Sequence, residues 1–464
     1  MQDYILLRQA LGTDASLAAV GGYVRDRLLG KDGTAGGDMD IATALLPEAV
    51  IKRARASGLK TIPTGIKHGT VTIVLDGKNV EITTYRGDGA YFDGRRPSTV
   101  KFGVSLQEDL ARRDFTINAM ALPIEFVASS DWRDHVIDPF DGRIDLERKL
   151  IRAVGDPLQR FEEDGLRPYR ACRFVSQLGF SIESATAGAI SQKLDVTTKV
   201  AVERIFVELT KLLVGHDAPS GLKALAAYGL LDKCIPELGP AIGCEQNAYH
   251  AYDVWGHTLE AASCAPADPA MRWATLLHDI GKPSAKFIDP TGRIKFHGHE
   301  AISEKMACQI LKRLKASNSL QAEVIALIRH HGSRPDKTWS DAACRRLLRR
   351  LEKDGLDWHK WASFQLADQL GKGLNVENIP QSHAELVGRL ERIACQAPPL
   401  NVRALAIDGN TMMKLANRPQ GPWIGALQRH LLEAAMDDPT LNTAENLGAI
   451  AREWMENNHV AKKG

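Results

Sequence analysis

Residues 19–43, AVGGYVRDRLLGKDGTAGGDMDIAT, join a glycine turn to two closely spaced aspartates. The apolar run ending at Gly21 and Gly22 reads as a strand entering a tight turn, and residues 23–29 as a short helix carrying Arg25 and Asp26. Glycines let the backbone approach a phosphate closely, a helix N-terminus offers unpaired N–H groups and partial positive charge, and Arg25 adds a permanent cation. That assembly suits a triphosphate. Asp38 and Asp40 alternate in a segment running into Ile41, so on a strand both carboxylates point to one face. Such a pair holds hard divalent cations such as Mg²⁺, which prefer oxygen ligands and bridge phosphate oxygens. An isolated Asp-x-Asp is more often a solvated loop, so the weight falls on what accompanies it.

A chain of 464 residues has room for about three or four domains. Lys and Arg number 59 against 57 Asp and Glu, so a nucleic-acid surface must come from local segregation of charge. No apolar run reaches the roughly 20 residues needed to span a bilayer, and the N-terminus shows neither a signal-peptide core nor a basic transit segment. A cytoplasmic protein without a membrane partner is expected. Seven scattered cysteines without a CxxC pair point to reduced thiols and away from a zinc ribbon.

Residues 1–11 read as a leading helix and 48–58 as another, while 70–75 and 80–85 read as strands joined by the turn Asp76-Gly77. Glu81, on the second of these strands, is either a third carboxylate for Asp38 and Asp40 or a solvated strand glutamate. Residues 87–103, GDGAYFDGRRPSTVKFG, lack periodicity and read as a mobile loop. Residues 106–121, LQEDLARRDFTINAMA, read as one helix with Arg112, Arg113 and Asp114 at its centre. Taken alone, those three are an exposed charged face with local ion pairs.

Residues 161–180, FEEDGLRPYRACRFVSQLGF, read as a helix on which Asp164 and Arg167 lie about one turn apart, with Arg170 and Arg173 continuing the face. A carboxylate beside a guanidinium offers what reading the Watson–Crick edge of a base requires, and arginines below it could hold phosphates. A surface ion-pair ladder has the same pattern. Pro168 disfavours helical geometry at Arg167, and Gly165 weakens the helix further. Residues 202–214 form an amphipathic helix of structural character, and 221–231 a further helix.

From Gly243 the character changes. His257 lies on a helix, His278-Asp279 closes an apolar one in LLHDIGKP, His297 and His299 lie in FHGHE, His330-His331 in IRHHG, and Asp368 in QLADQLG. Neutral imidazoles with carboxylates bind transition metals, and a shared aspartate can bridge two ions that activate water. Arg345, Arg346, Arg349 and Arg350 fall along one helix, as an RNA phosphate track or a solvated basic face.

GGYVRD, DMDIAT and RRDFTINAM together resemble the class II nucleotidyltransferases of the DNA polymerase beta superfamily, the branch of CCA-adding enzymes and bacterial poly(A) polymerases. EDGLRPYRACRF resembles the EDxxR motif with which that branch selects CTP and ATP without a nucleic-acid template. The histidine series resembles the HD-superfamily phosphohydrolases that some bacterial members carry at this position. The resemblance implies an α+β protein. Its parts would be a mixed α/β nucleotidyltransferase head (1–145), a helical neck and body for nucleotide selection and RNA binding (146–240), a helical HD phosphohydrolase domain (241–375) and a helical, RNA-contacting tail (376–464).

By that resemblance Asp38 and Asp40 are catalytic and hold Mg²⁺, Gly21, Gly22 and Arg25 bind nucleotide, and Arg112 contacts the triphosphate with Arg113 and Asp114 near the ribose. Asp164 and Arg167 are the amino-acid template, with Arg170 and Arg173 beneath it. His257, His278, Asp279 and Asp368 ligate a divalent transition metal, and His299 and His330 complete a second metal position or contact phosphate. The implied partners are tRNA, CTP and ATP. At the second site the resemblance implies 2′,3′-cyclic phosphates, 2′-nucleotides or simple phosphoesters. IKHGTVTIVLDG looks like the CCA-adding type. An A-adding enzyme, a poly(A) polymerase, and an RNA-binding phosphohydrolase with an inert head are the alternatives.

Overall fold

The alternating segments near the N-terminus pair into a six-stranded sheet in the computed structural model, which describes residues 2–31, 40–88, 100–333, 335, 338–396, 398 and 400–458. Its strands are β1 (Ala18–Val20), β2 (Asp40–Thr43), β3 (Lys60–Gly65), β4 (Thr70–Leu75), β5 (Lys78–Thr84) and β6 (Ala121–Pro123), in the order β3-β4-β5-β2-β1-β6. Asp76 and Gly77, with φ of 45° and 77°, make the two-residue turn between β4 and β5, where both central residues need positive φ. β5 pairs in parallel with β2, and β1 runs antiparallel to both β2 and β6. Ile41, Val71, Ile73 and Ile82 are buried on the sheet, and each such side chain contributes about 1.5–3 kcal/mol. The edge strand β3 is unforeseen, because most of its residues face solvent and Pro63 interrupts its pattern.

The chain divides into two compact units, Met1–Gly239 and Pro240–Gly464. The first places its sheet ahead of a run of helices, and the second is helical apart from a short hairpin of Phe287–Ile288 with Ile294–Lys295. The α+β class expected from the sequence holds.

Some expected helices are broken, each for a local reason. Residues 106–121 are a single turn-and-a-half helix, Leu106–Ala111, opened by a Ser105–Glu108 capping box, then a 3₁₀ turn, Thr116–Asn118, and β6. Beyond the C-cap at Arg112, Asp114 accepts from Phe115 N (2.9 Å) and Asn118 Nδ2 (3.2 Å), bonds that hold the turn where a helix was expected to continue. The 161–180 segment is likewise two helices, Pro157–Glu163 and Arg167–Leu178, with Asp164 extended between them. Pro168 falls in the first turn of the second helix, where its missing N–H leaves no bond unmade. At Gly165 a Cβ would stand 2.5 Å from the Val196 carbonyl oxygen, so the break needs glycine. Residues 221–231 split at Gly229, whose φ is 79°.

In the second unit, Leu427, Leu431, Leu432, Met436, Leu447 and Met455 form a separate core beneath the last helices. Three of the four arginines read as an RNA track are engaged there. Arg345 donates to the carbonyls of Met436 and Asp437 at the end of helix Pro422–Asp437, and Arg346 and Arg349 pair with Glu433 at 3.0 and 2.9 Å. Cations at a helix C-terminus complement its dipole, and only Arg350 of the four is exposed. Among the described residues no helix is long and apolar enough to cross a membrane.

Candidate functional site

β1 leads into Gly21, whose φ of 68° turns the chain into helix Gly22–Leu28. Asp40 opens β2 and is exposed, whereas Ile41 to Thr43 are buried behind it. Across the parallel pairing Asp40 stands directly opposite Glu81 of β5, also exposed, so two carboxylates share one face. Asp38 lies outside the described residues, as does most of the 87–103 loop. A Cβ on Gly21 would sit 3.1 Å from Arg113 Nη1 and 4.0 Å from Asp40 Oδ2, so the bare glycine admits the guanidinium beside the carboxylate face.

Arg112 and Arg113 curl back from the end of helix Leu106–Ala111 onto Asp109, a buried carboxylate with no part in the sequence reading. Arg25 donates to both oxygens of Asp26 (2.8 and 3.0 Å) and to Asn118 Oδ1 (2.8 Å), and lies 5.1 Å over the Phe174 ring. From Asn118 the bonds continue to Asp114, whose Oδ2 accepts from Arg170 Nε at 2.7 Å. Burial alone would raise the Asp114 pKa, but Arg170 and Arg167 outweigh it and hold the carboxyl well below the usual carboxylate range.

Arg170 and Arg173 are not open phosphate ligands. Both reach Glu208, at 3.8 and 2.6 Å, a buried acid on helix Val202–Leu213 whose position the amphipathic pattern does not single out. Burial pushes Arg173 down to about 10, still charged at neutral pH. The side chains of Asp164 and Arg167 are not paired with each other, although Arg167 N donates to the Asp164 carbonyl at 3.0 Å. Asp164 is clasped by Arg204, at 3.3 and 2.8 Å, and accepts from Leu166 N at 3.0 Å. Arg167 Nη1 donates to Glu163 Oε2 (2.6 Å) and the Arg160 carbonyl (2.7 Å), and Nη2 to the Arg112 carbonyl (2.8 Å).

In the second unit Asp253 caps the helix Val254–Cys264 that presents His257, and Asp268 caps Pro269–Leu277, which ends at His278-Asp279. Gly281 brings this segment against the next helix, because a Cβ there would meet the His299 carbonyl oxygen at 2.7 Å. His257, His278 and Asp368 converge as one buried donor group, and Asp279, His299 and His331 as a second. Asp279 spans the two. Its Oδ2 is 3.2 Å from both His257 Nε2 and His278 Nε2, and its Oδ1 is 3.4 Å from His299 Nε2 and 3.8 Å from His331 Nε2.

His331 stands where His330 was expected. His330 turns to Asp354 Oδ2 at 2.8 Å, because adjacent helical residues point about 100° apart. The dipeptide alone does not say which imidazole faces inward. His297 is exposed. Lys282, also unforeseen, is buried with its Nζ 2.6 Å from Asp279 Oδ2 and 2.6 Å from Gln246 Oε1.

The donor set fits divalent cations. His278, His299 and His331 each direct Nδ1 to a backbone carbonyl, of Thr275 (2.9 Å), Phe296 (2.7 Å) and Ile328 (2.6 Å). With protons there, the Nε2 lone pairs of His299 and His331 face each other 3.2 Å apart, an arrangement that a cation between them relieves. Burial lowers His278, but Asp279 and Asp368 prevail and push it up to about 10, while both aspartates fall well below their usual range. His331 is pushed down to about 4 by burial and the neighbouring His278. Buried carboxylates beside imidazoles are the donor chemistry that divalent cations take.

Comparison with known proteins gives three family matches. Residues 17–152 match the poly A polymerase head domain, 179–242 a probable RNA- and SrmB-binding site of polymerase A, and 248–380 the HD domain. A CCA-adding enzyme of Lactobacillus delbrueckii subsp. bulgaricus is 34% identical over 91% of this chain and 90% of its own. One of Geobacillus kaustophilus is 34% identical over 96% and 94%. The crystal structure of the Bacillus stearothermophilus CCA-adding enzyme in complex with CTP is similar with a TM-score of 0.71, at 29% identity over 98% of both chains.

Proposed function

The chain belongs to the family of CCA-adding enzymes, and on that premise we propose that it adds two cytidylates and one adenylate in order to the 3′ end of tRNA, drawing on CTP and ATP. The observation that carries this is the exposed pair of Asp40 and Glu81 beside the Gly21 turn, with Arg113 lying against that turn. Divalent ions, Mg²⁺ in our reading, held by Asp38 and Asp40 with Glu81 as a third carboxylate, would supply the charge that polarises the transferred phosphate and the attacking 3′-hydroxyl. Arg112 would hold the triphosphate; Arg113, expected near the ribose, lies against the Gly21 turn and would join it there, and Asp114 would anchor Arg170 beneath the base.

Hydrogen-bond arithmetic supports Asp164 and Arg167 as the reader of the base. The bonds of Arg167 to Glu163, Arg160 and Arg112 leave Nε–H and one Nη2–H to donate. Asp164 keeps acceptor capacity beyond its bonds to Arg204 and Leu166. Cytosine and adenine both offer an amino group beside a ring-nitrogen acceptor, which suits this order of acceptor and donors. Uracil and guanine reverse it, and a buried polar site left unpaired rejects a ligand strongly. In the second unit we propose a metal-dependent phosphohydrolase, with His257, His278, Asp279, His299, His331 and Asp368 as ligands, acting on 2′,3′-cyclic phosphates, 2′-nucleotides or simple phosphoesters.

The test is addition of labelled CTP, ATP or both, with Mg²⁺, to tRNA transcripts lacking CCA, ending in C, or ending in CC. Two cytidylates, one adenylate and then arrest are expected. Adenylate added only to the CC-ending transcript would instead mean an A-adding enzyme, and long adenylate tracts on unrelated RNA a poly(A) polymerase.

A further inference from the structure

We propose that Asp109 is a positioning residue for nucleotide addition, orienting Arg112 and Arg113 toward the triphosphate, on the reading above that those two arginines meet it. Asp109 is 1% exposed. Its Oδ1 accepts from Arg112 Nε at 3.0 Å and Nη2 at 2.7 Å, and from Arg86 N at 3.2 Å. Its Oδ2 accepts from Arg113 Nη2 at 3.3 Å. One carboxylate thus fixes two consecutive guanidiniums, a job that helix geometry would otherwise oppose by sending neighbouring side chains about 100° apart. The helix ends at Ala111 with Arg112 as its cap, which lets both arginines fold back over its last turn.

The arrangement faces the glycine turn. Arg113 Nη1 lies 3.1 Å from where a Gly21 Cβ would be, so its guanidinium reaches the turn where a phosphate would sit. Asp109 itself, buried behind the guanidiniums, acts only through those arginines. Replacing it with asparagine removes the charge and turns an N–H donor toward N–H donors, so the arginines lose their fixed orientation while keeping their own charge.

The test separates triphosphate binding from base reading by using inorganic tripolyphosphate as a competitive inhibitor. In Asp109→Asn the KM for CTP, the KM for ATP and the Ki for tripolyphosphate should rise together, by about 10- to 100-fold, as expected when charge-assisted hydrogen bonds to the phosphates lose their geometry. The KM for tRNA should hold. Arg112→Gln should raise the same Ki, and the Asp109→Asn/Arg112→Gln double variant should lose much less than the product of the two single effects. An unchanged Ki in Asp109→Asn beside a raised one in Arg112→Gln overturns the role of Asp109 and leaves the triphosphate reading standing, as do fully multiplicative losses. An unchanged Ki in both Arg112→Gln and Arg113→Gln overturns that reading, and the role of Asp109 with it. If Asp109→Asn does not fold, Asp109→Glu, which shifts the charge by one methylene, takes its place under the same criteria.

Discussion

Replacing His331 and His330 separately with glutamine sets two adjacent imidazoles against each other. His331 is 2% exposed, with Nε2 3.2 Å from His299 Nε2 and 3.8 Å from Asp279 Oδ1. Losing a group that merely supports a metal ligand costs about 10- to 100-fold in metal affinity, so losing the ligand should cost roughly 100-fold or more. His330 meets Asp354, which also keeps Arg329 at 3.0 Å. Its loss should cost about 1.5–3 kcal/mol, the range for a hydrogen bond to a charged group. For a unit of this size that is a fall in Tm of about 3–12 °C. Metal content after dialysis, by plasma mass spectrometry, and hydrolysis of a 2′,3′-cyclic nucleotide provide the assay. His331→Gln should be depleted in metal and inactive, and His330→Gln should be loaded and active with a lowered Tm. Loaded His331→Gln with depleted His330→Gln would refute the inward assignment of His331.

Asp40→Ala should abolish nucleotide addition and leave the metal content and phosphoester hydrolysis of the second unit intact; loss of both would contradict two separate sites. Glu81→Gln should slow nucleotide addition at least about 10-fold if it completes the carboxylate face, and an unchanged kcat would restrict that face to the two aspartates. Asp114→Asn removes the nearer of the two buried acids that Arg170 meets, Glu208 at 3.8 Å being the other, and should destabilise the first unit by up to about 3–5 kcal/mol, read by chemical denaturation. Asp109 and Asp114 both have lowered pKa values, so their stabilising contribution is present above the unfolded carboxylate range and is lost as pH falls. Denaturation of the first unit should therefore show stability declining as the pH drops from about 5 toward 2, and a flat profile over that range would exclude the mechanism.

Much of the architecture and chemistry was legible because it is local. A turn that needs positive φ is written in Gly21 and in Asp76-Gly77, strand alternation in residues 70–84, and the metal chemistry in residue types such as His278-Asp279. Local signals also misled where a side chain competed with the backbone. Asp114 bonds the turn that follows a helix ending at Ala111 where the pattern continued, and Gly165 opened another to approach Val196. Strand β3 escaped notice because its residues are mostly exposed and an edge needs no apolar alternation.

By itself the sequence determined which groups the protein owns and, through short-range geometry, which turns and faces they occupy. Only the tertiary structure decided which of them meet: Glu81 beside Asp40, Arg204 on Asp164, Glu208 under Arg170 and Arg173, Asp109 behind Arg112 and Arg113, and His331 in place of His330. Periodicity states that a residue faces inward but not what waits there. The partner of a buried charge is set by the packing of segments distant along the chain, and a carboxylate or guanidinium taken out of water must find one.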